Sequence, residues 1–251
     1  TLVLANQKGG VGKSAVAVQL GYYLAEQRKL RVVVVDLDHQ RNTSKALRVG
    51  GIATVSAVTS GQLLATEKIA IEEAPFLLVG GDDSLIKLEK QAKEHNRFAT
   101  NLRDWVRSLQ DRFDVAIFDT NPNPDIRQLA ALIAADYVLS PLQLNQEAID
   151  GIGDLLNHAN IGIRKIQATL NPRLRLIGIL PNLVEPTPFQ RENFRDLSLH
   201  YAKLLIPHAG GYAAIKRTTA IPEAQAAGLP IWKGGKTSSR EAWASIKPVF
   251  E

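Results

Sequence analysis

Leu2-Val3-Leu4-Ala5 runs directly into Asn6-Gln7-Lys8-Gly9-Gly10-Val11-Gly12-Lys13-Ser14, and a helical pattern follows from Ala15 to about Gln27. An apolar strand, a glycine-rich bend and a helix start, in that order, make an anion cradle. Three glycines let the backbone curl so that successive N–H groups face one point. The helix start adds the positive end of its dipole. Lys13 is placed to reach terminal phosphates, and the Ser14 hydroxyl to ligate Mg²⁺. A bare strand–helix turn would not need the Gly-Lys-Ser ending.

Outward from this loop the chain alternates. Arg31-Val32-Val33-Val34-Val35-Asp36 has the unbroken apolar run of a strand buried on both faces. Further strands are expected at Phe76–Val79, Val115–Asp119, Tyr137–Pro141 and Leu176–Pro181. Helical patterns fall near Ser84–Lys93, Ala99–Arg112, Ile126–Ala134 and Ala148–Ala168. Strand and helix in alternation predict an α/β fold, a doubly wound and mostly parallel sheet with helices on both faces. No repeat or Ser/Gly linker divides the chain, so residues 1–251 are expected to form one domain. The Pro-containing stretches Asn121–Pro124 and Glu185–Pro188 are expected to be local turns.

The 251 residues contain neither Cys nor Met. Lacking Cys, the chain has no disulfide, thiolate metal site or iron–sulfur cluster. No apolar run approaches the roughly 18 residues of a spanning helix, and a cytoplasmic protein is the expectation. The net charge of +5 is uneven. Residues 1–150 carry 17 Lys and Arg against 18 Asp and Glu, and residues 151–251 carry 13 against 7. Such asymmetry suits a surface facing nucleic acid.

The general phosphate-loop pattern has Gly where Gln7 stands, and Lys8 instead precedes Lys13 by five residues. That K-G-G-x-x-K-[ST] spacing is the deviant Walker A motif, and the chain resembles the ParA/MinD-type ATPases, closest to the partition ParA branch. The resemblance continues in Asp36-Leu37-Asp38-His39-Gln40-Arg41-Asn42 and in Phe113–Thr120, which is similar to the family's Walker B strand. It extends to Ser140-Pro141-Leu142-Gln143 with Ala148 and Gly151, and to Ile221–Ile231. The chain departs from the family at His39, where Pro is usual, at Arg41, where Gly is usual, and at Thr120-Asn121-Pro122, where Cys-Pro-Pro is usual.

The resemblance implies ATP/ADP and Mg²⁺ as cofactors, with residues Lys8, Gly9, Gly10, Val11, Gly12, Lys13, Ser14 and Ala15 around the phosphates. A carboxylate at the end of a buried strand is costly unless satisfied, and Mg²⁺ would satisfy Asp36 and Asp119, with Ser14 as a third ligand. By resemblance Asp38 handles the attacking water, although a loop or capping role is open to it. By resemblance too, Lys8 reaches the partner's nucleotide across an ATP-sandwich homodimer and joins Lys13 and Asp38 in catalysis. Asn182, Pro222 and Glu223 lie where the family holds adenine, and Asn182 is equally placed to cap the next turn.

The function implied is a dimerisation switch with slow intrinsic turnover. It would bind nonspecific DNA as the ATP dimer, associate with the nucleoid and segregate plasmid or chromosomal cargo. A ParB-type partner would stimulate hydrolysis. Candidate DNA contacts are Arg191, Arg195, Lys203, Lys216, Arg217, Lys233 and Lys236. No helix-turn-helix is expected ahead of the phosphate loop. Positioning of protein cargo on the nucleoid is one alternative. A MinD-like membrane regulator is another, but it would need a basic amphipathic helix near the C-terminus. Ala244–Glu251 offers one Lys, and Pro248 is expected to break a helix there. No membrane partner is therefore expected.

Overall fold

A computed structural model describes residues 1–208 and 210–251. In chain order the elements are β1 (Leu2–Leu4), α1 (Lys13–Tyr22, continued by a π turn at Tyr23–Gln27), β2 (Val32–Asp36), α2 (Asn42–Gly50), β3 (Thr54–Val55), α3 (Ser60–Ala65) and β4 (Phe76–Val79). Then come α4 (Ser84–Glu89), α5 (His95–Arg107), β5 (Val115–Asp119), α6 (Ile126–Ala134), β6 (Tyr137–Leu142), α7 (Gln146–Asp150), α8 (Ile152–Asn157) and α9 (Ile163–Thr169). The last third holds β7 (Arg175–Pro181), α10 (Pro188–Tyr201), β8 (Pro207–His208), β9 (Gly211–Tyr212), α11 (Ala220–Ala227) and α12 (Thr237–Phe250).

Seven strands form one sheet in the order β3-β4-β2-β5-β1-β6-β7. Every pair in it is parallel. Alternate residues of each strand feed two cores. Val33, Val35, Leu77, Val79, Ala116 and Phe118 face the side covered by α3 to α6. Val32, Val34, Phe76, Leu78 and Ile117 face α1, α2, α11 and α12. Four consecutive valines of β2 are completely buried, as the uninterrupted apolar run requires. β1 sits beside β5 and β6, where the strand order reverses direction. The loops at the carboxyl ends of β1, β2 and β5 therefore converge on one crevice.

Local sequence sets several boundaries. Thr59 and Gln62 form a reciprocal capping box on α3. The Asp125 and Asn145 side chains cap α6 and α7. Thr187 caps α10, with Pro188 in the first turn, where its missing N–H costs nothing. The Glu185–Pro188 turn thus leads into a helix.

The expected helix at Ala148–Ala168 is instead three short ones, because the chain turns at Gly151 and again between Asn157 and Gly162. A Cβ at Gly162 would lie 2.5 Å from the His158 amide nitrogen, so the turn there is built around a bare backbone. Pro248 does not break a helix: α12 runs through it to Phe250. It stands in the last turn, where only the Ala244 carbonyl loses a donor.

Two glycines bind α2 to α11. Gly228 ends α11 at φ +63°, and a Cβ there would sit 2.2 Å from the Gly50 nitrogen and 2.6 Å from the Ala46 carbonyl. The Tyr22 hydroxyl donates to the Gly228 carbonyl at 2.7 Å. Gln19 donates to the Leu229 carbonyl and accepts from the Ile231 amide. Gly228→Ala should therefore cost about 2–4 kcal/mol of unfolding free energy, from overpacking and a left-handed backbone together. Denaturant unfolding measures this, and a loss under about 0.5 kcal/mol would show that the contact yields.

Candidate functional site

The phosphate loop closes over a cavity of about 760 Å³. Gly9 to Ala15 form its floor, while Asp38, His39, Gln40 and Asn123 stand on one side and Ile221, Pro222, Gln225 and Ala226 on the other. Gly10 and Gly12 have φ of +74° and +89°, the left-handed region that glycine enters freely. At Gly12 a Cβ would lie 2.2 Å from Asn182 Nδ2. Asn182 is buried beneath the loop and donates to the Val11 carbonyl at 2.7 Å. It supports the loop from below, and its Oδ1 has no partner.

Lys13 opens α1 and is buried. Its ammonium donates to the carbonyls of Asn6 (3.0 Å) and Lys8 (3.1 Å). Burial pulls its pKa below the ordinary lysine value, against the opposing pull of Asp119 and Asp38. Lys8 points elsewhere. Its ammonium meets Glu147 Oε2 at 2.7 Å and Asn145 Oδ1 at 3.1 Å, at the start of α7, and it does not line the cavity.

Asp36 and Asp119 end the neighbouring strands β2 and β5 and stand directly in register. Both are wholly buried. Asp36 is well supplied with donors: Oδ1 accepts from the Asp38 amide, and Oδ2 from the Ser44 amide and hydroxyl. Asp119 Oδ2 accepts from the Thr43 hydroxyl at 2.7 Å, and its Oδ1 has no partner. Burial pushes the Asp36 carboxyl up to about 6 despite its hydrogen bonds. Burial, with Asp36 alongside, pushes Asp119 up to about 7. An acid so placed accepts Mg²⁺ or a proton in preference to standing bare.

Asp38 is buried at the cavity wall, and its Oδ1 accepts the Gln40 amide at 3.0 Å. Arg41 adopts φ +60°, a conformation costing a side-chain-bearing residue about 1 kcal/mol. That accounts for the glycine that this position resembles.

Other expected residues disperse. Pro222 lines the cavity, but Glu223 does not. The helical period of α11 puts 222, 225 and 226 on one face and 223 on another, where Glu223 pairs with Lys236 at 2.8 Å. Gln225 faces the cavity instead, with a buried Oε1 lacking a partner. The seven basic candidates are not gathered as a free set. Lys233 pairs with Glu26, Arg217 with Glu185, and Arg195 with Glu192 and Asp196. Arg191 donates to the Pro186 carbonyl. Lys216 and Arg217 share a small cavity with Glu241 of α12. Thr43 and Ser44, which bond both strand-end carboxylates, were not singled out in the sequence; two hydroxyl residues opening the helix after Asp36 are their only signal.

This is a P-loop nucleotide site on a doubly wound sheet. Residues 1–176 match a family described as an AAA domain. The chain is 33% identical over 262 residues to protein IncC of Escherichia coli, covering all of this chain and 68% of that one. It is 32% identical over 238 residues to the chromosome-partitioning ATPase Soj of Thermus thermophilus, covering 94% and 89%. Identity with the chromosome partitioning protein ParA of Caulobacter vibrioides is 30% over 239 residues, covering 92% and 85%. Among solved structures, cobyrinic acid a,c-diamide synthase of Mycobacterium smegmatis with bound ADP and magnesium superposes with a TM-score of 0.71 at 28% identity, covering 94% of this chain and 96% of that one. An ATP complex of Cyanothece McdA matches with a TM-score of 0.75 at 19% identity, over 98% and 95%, a likeness of fold.

The chain belongs to the ParA/MinD family of P-loop ATPases. Among the described residues no helix is long and apolar enough to cross a membrane.

The strand-end acids set a pH dependence for the protein free of nucleotide and metal. The folded pKa of Asp119 lies above its unfolded value, so between about pH 4 and 7 the folded state binds more protons. Stability then falls as pH rises through that window. Asp119→Asn removes the charge and should stabilise the free protein by about 1–3 kcal/mol at pH 8 and much less at pH 5. Chemical denaturation at the two values measures this, and an equal effect at both would refute it.

Proposed function

We propose that residues 1–251 form one ATPase domain that works as an ATP-dependent dimerisation switch in DNA partition. In this reading the ATP-bound homodimer holds nonspecific DNA, and a ParB-type partner stimulates slow hydrolysis and release. The relatives named as chromosome-partitioning proteins support it. The observation that carries it is the separation of the two lysines. Lys13 lies buried at the phosphate floor, whereas Lys8 lies outside its own cavity, on the rim beside α7. A lysine there is available to a second copy. Its pair with Glu147 lies at the surface, where solvent screens it, so it opposes a move toward phosphate charge only weakly.

The donor set fits Mg·ATP. Backbone N–H groups of residues 9–15 and Lys13 suit the phosphates. The Ser14 hydroxyl and unpartnered Asp119 Oδ1 suit Mg²⁺, which offsets phosphate charge when bound. Asp36, with both oxygens already accepting, suits a water in its outer shell. Pro222 and Gln225, which line the cavity beyond the phosphate loop, suit the base. Asp38 can accept a proton from water held in the cavity. Lys8, supplied in trans, would offset charge developing on the transferred phosphoryl group, as an arginine finger does.

Dimerisation matters for DNA because nonspecific affinity rises steeply with the number of phosphates neutralised. Four of the seven basic candidates are ion-paired at home, leaving Arg191, Lys203 and Lys216 without such pairs among the described residues. One copy is thus a weak binder, and two copies double the count.

Lys8→Ala should keep ATP as a monomer, lose ATP-dependent dimerisation and lose DNA binding, with no other basic residue changed. Light scattering and fluorescence anisotropy with ATP decide this; normal dimerisation and DNA binding would overturn the switch. Asp38→Ala should bind ATP and dimerise but hydrolyse at least about tenfold more slowly, and so persist on DNA. Loss of ATP binding in that variant would instead assign Asp38 to the metal shell.

A further inference from the structure

One buried cation lies close to Asp38 without lining the nucleotide cavity. Arg127, at the start of α6, is 3% exposed. Its Nε bonds both oxygens of Asp125, at 3.2 and 3.0 Å, and its Nη2 also bonds Asp125 Oδ2. Asp125 is in turn held by Asn121 Nδ2 at 2.8 Å and caps α6 through the Arg127 amide. The guanidinium is therefore fixed from one side. On the other side its Nη1 lies 3.0 Å from His39 Nδ1.

A guanidinium only donates. His39 Nδ1 must accept, so the ring hydrogen belongs on Nε2, and the Gln40 side-chain amide 2.9 Å from Nε2 must turn its oxygen, not its NH2 group, toward that hydrogen. The same Nδ1 is 3.4 Å from Asp38 Oδ1. Two partners thus compete for one ring nitrogen. With Arg127 in place, Nδ1 offers Asp38 a lone pair. Without Arg127, Nδ1 can carry the hydrogen and donate it to Asp38.

We infer that Arg127 is a positioning residue: by occupying His39 Nδ1 it keeps the Asp38 carboxylate free for water. It rests on the reading of Asp38 given above. The cluster belongs to this chain, since His39 stands where the resembled pattern has a proline with no hydrogen to donate. A histidine beside a water-handling carboxylate would otherwise take one of its lone pairs. The same clamp ties the loop after β2 to the cap of α6, so Asp38 and the loop after β5 hold a common position.

The test has two readouts. In wild type, ring ¹⁵N correlation spectra of the five histidines should show His39 unprotonated at Nδ1, and Arg127→Gln should move the hydrogen to Nδ1. ATP hydrolysis by Arg127→Gln should fall about tenfold with ATP affinity held within about twofold. Adding His39→Ala should restore the rate to within about threefold of His39→Ala alone, a rescue that mere destabilisation would not give. An unchanged tautomer, an unchanged rate in Arg127→Gln, or a double variant no faster than Arg127→Gln would overturn the inference. Absence of hydrolysis in the wild type would overturn the reading of function instead, and the tautomer measurement would still decide the role of Arg127.

Discussion

Two carboxylates end adjacent parallel strands in register, wholly buried and side by side. Like charges so placed repel strongly in a low dielectric. The surrounding structure answers that cost. The Lys13 ammonium comes from below, the Thr43 and Ser44 hydroxyls from α2, and the Asp38 amide from the next turn of chain. Ser44 also accepts from the Gly81 amide at 2.9 Å, which ties the loop after β4 to the same centre. One donor still lacks: Asp119 Oδ1 faces no partner. The fold thus holds a charge deficit that a divalent cation can fill.

Much of this architecture was legible because strand burial writes itself plainly. Four valines in a row before Asp36 admit few other readings, and the strands at Phe76–Val79 and Val115–Asp119 match residue for residue. The site was legible where chemistry is local. Glycines that must take positive φ, a lysine at a helix start and acids closing apolar runs all leave marks in the sequence. Short elements were hidden. β3 has two residues and α3 six, too few for a periodic signal to rise above turn composition.

Arg127 shows a different limit. Ile126-Arg127-Gln128-Leu129 reads as ordinary amphipathic helix, with 127 and 128 on a wet face. Both are in fact buried, and Arg127 is held there because Asp125 and His39 reach it from loops far apart in sequence. Pattern cannot reveal a pair whose partner comes from a crossover. Glu223 errs the other way. Its segment resembles a nucleotide loop, but helix phase turns its carboxylate to Lys236 and leaves Gln225 toward the cavity. Four of the seven basic candidates likewise meet acidic partners, in the π turn after α1, in the loop before α10, and on α10 and α11. Summed charge along a chain is therefore a poor guide to the field at its surface.

The glycine contact between α2 and α11 bears on how the crevice can respond to its contents. Through Gln19 and Tyr22, the helix that begins at the phosphate floor also grips the segment following α11. Floor and α11 wall are thus tied into one piece, like the fixed jaw of a caliper. The opposite wall is the loop of Asp38 and His39, held through Arg127 to a different helix. A change in the length of what lies between the jaws, such as the loss of one phosphoryl group, can then register only on that second wall. In the proposed reading, loss of the terminal phosphoryl group would be reported away from α11 and toward the face where α6 begins.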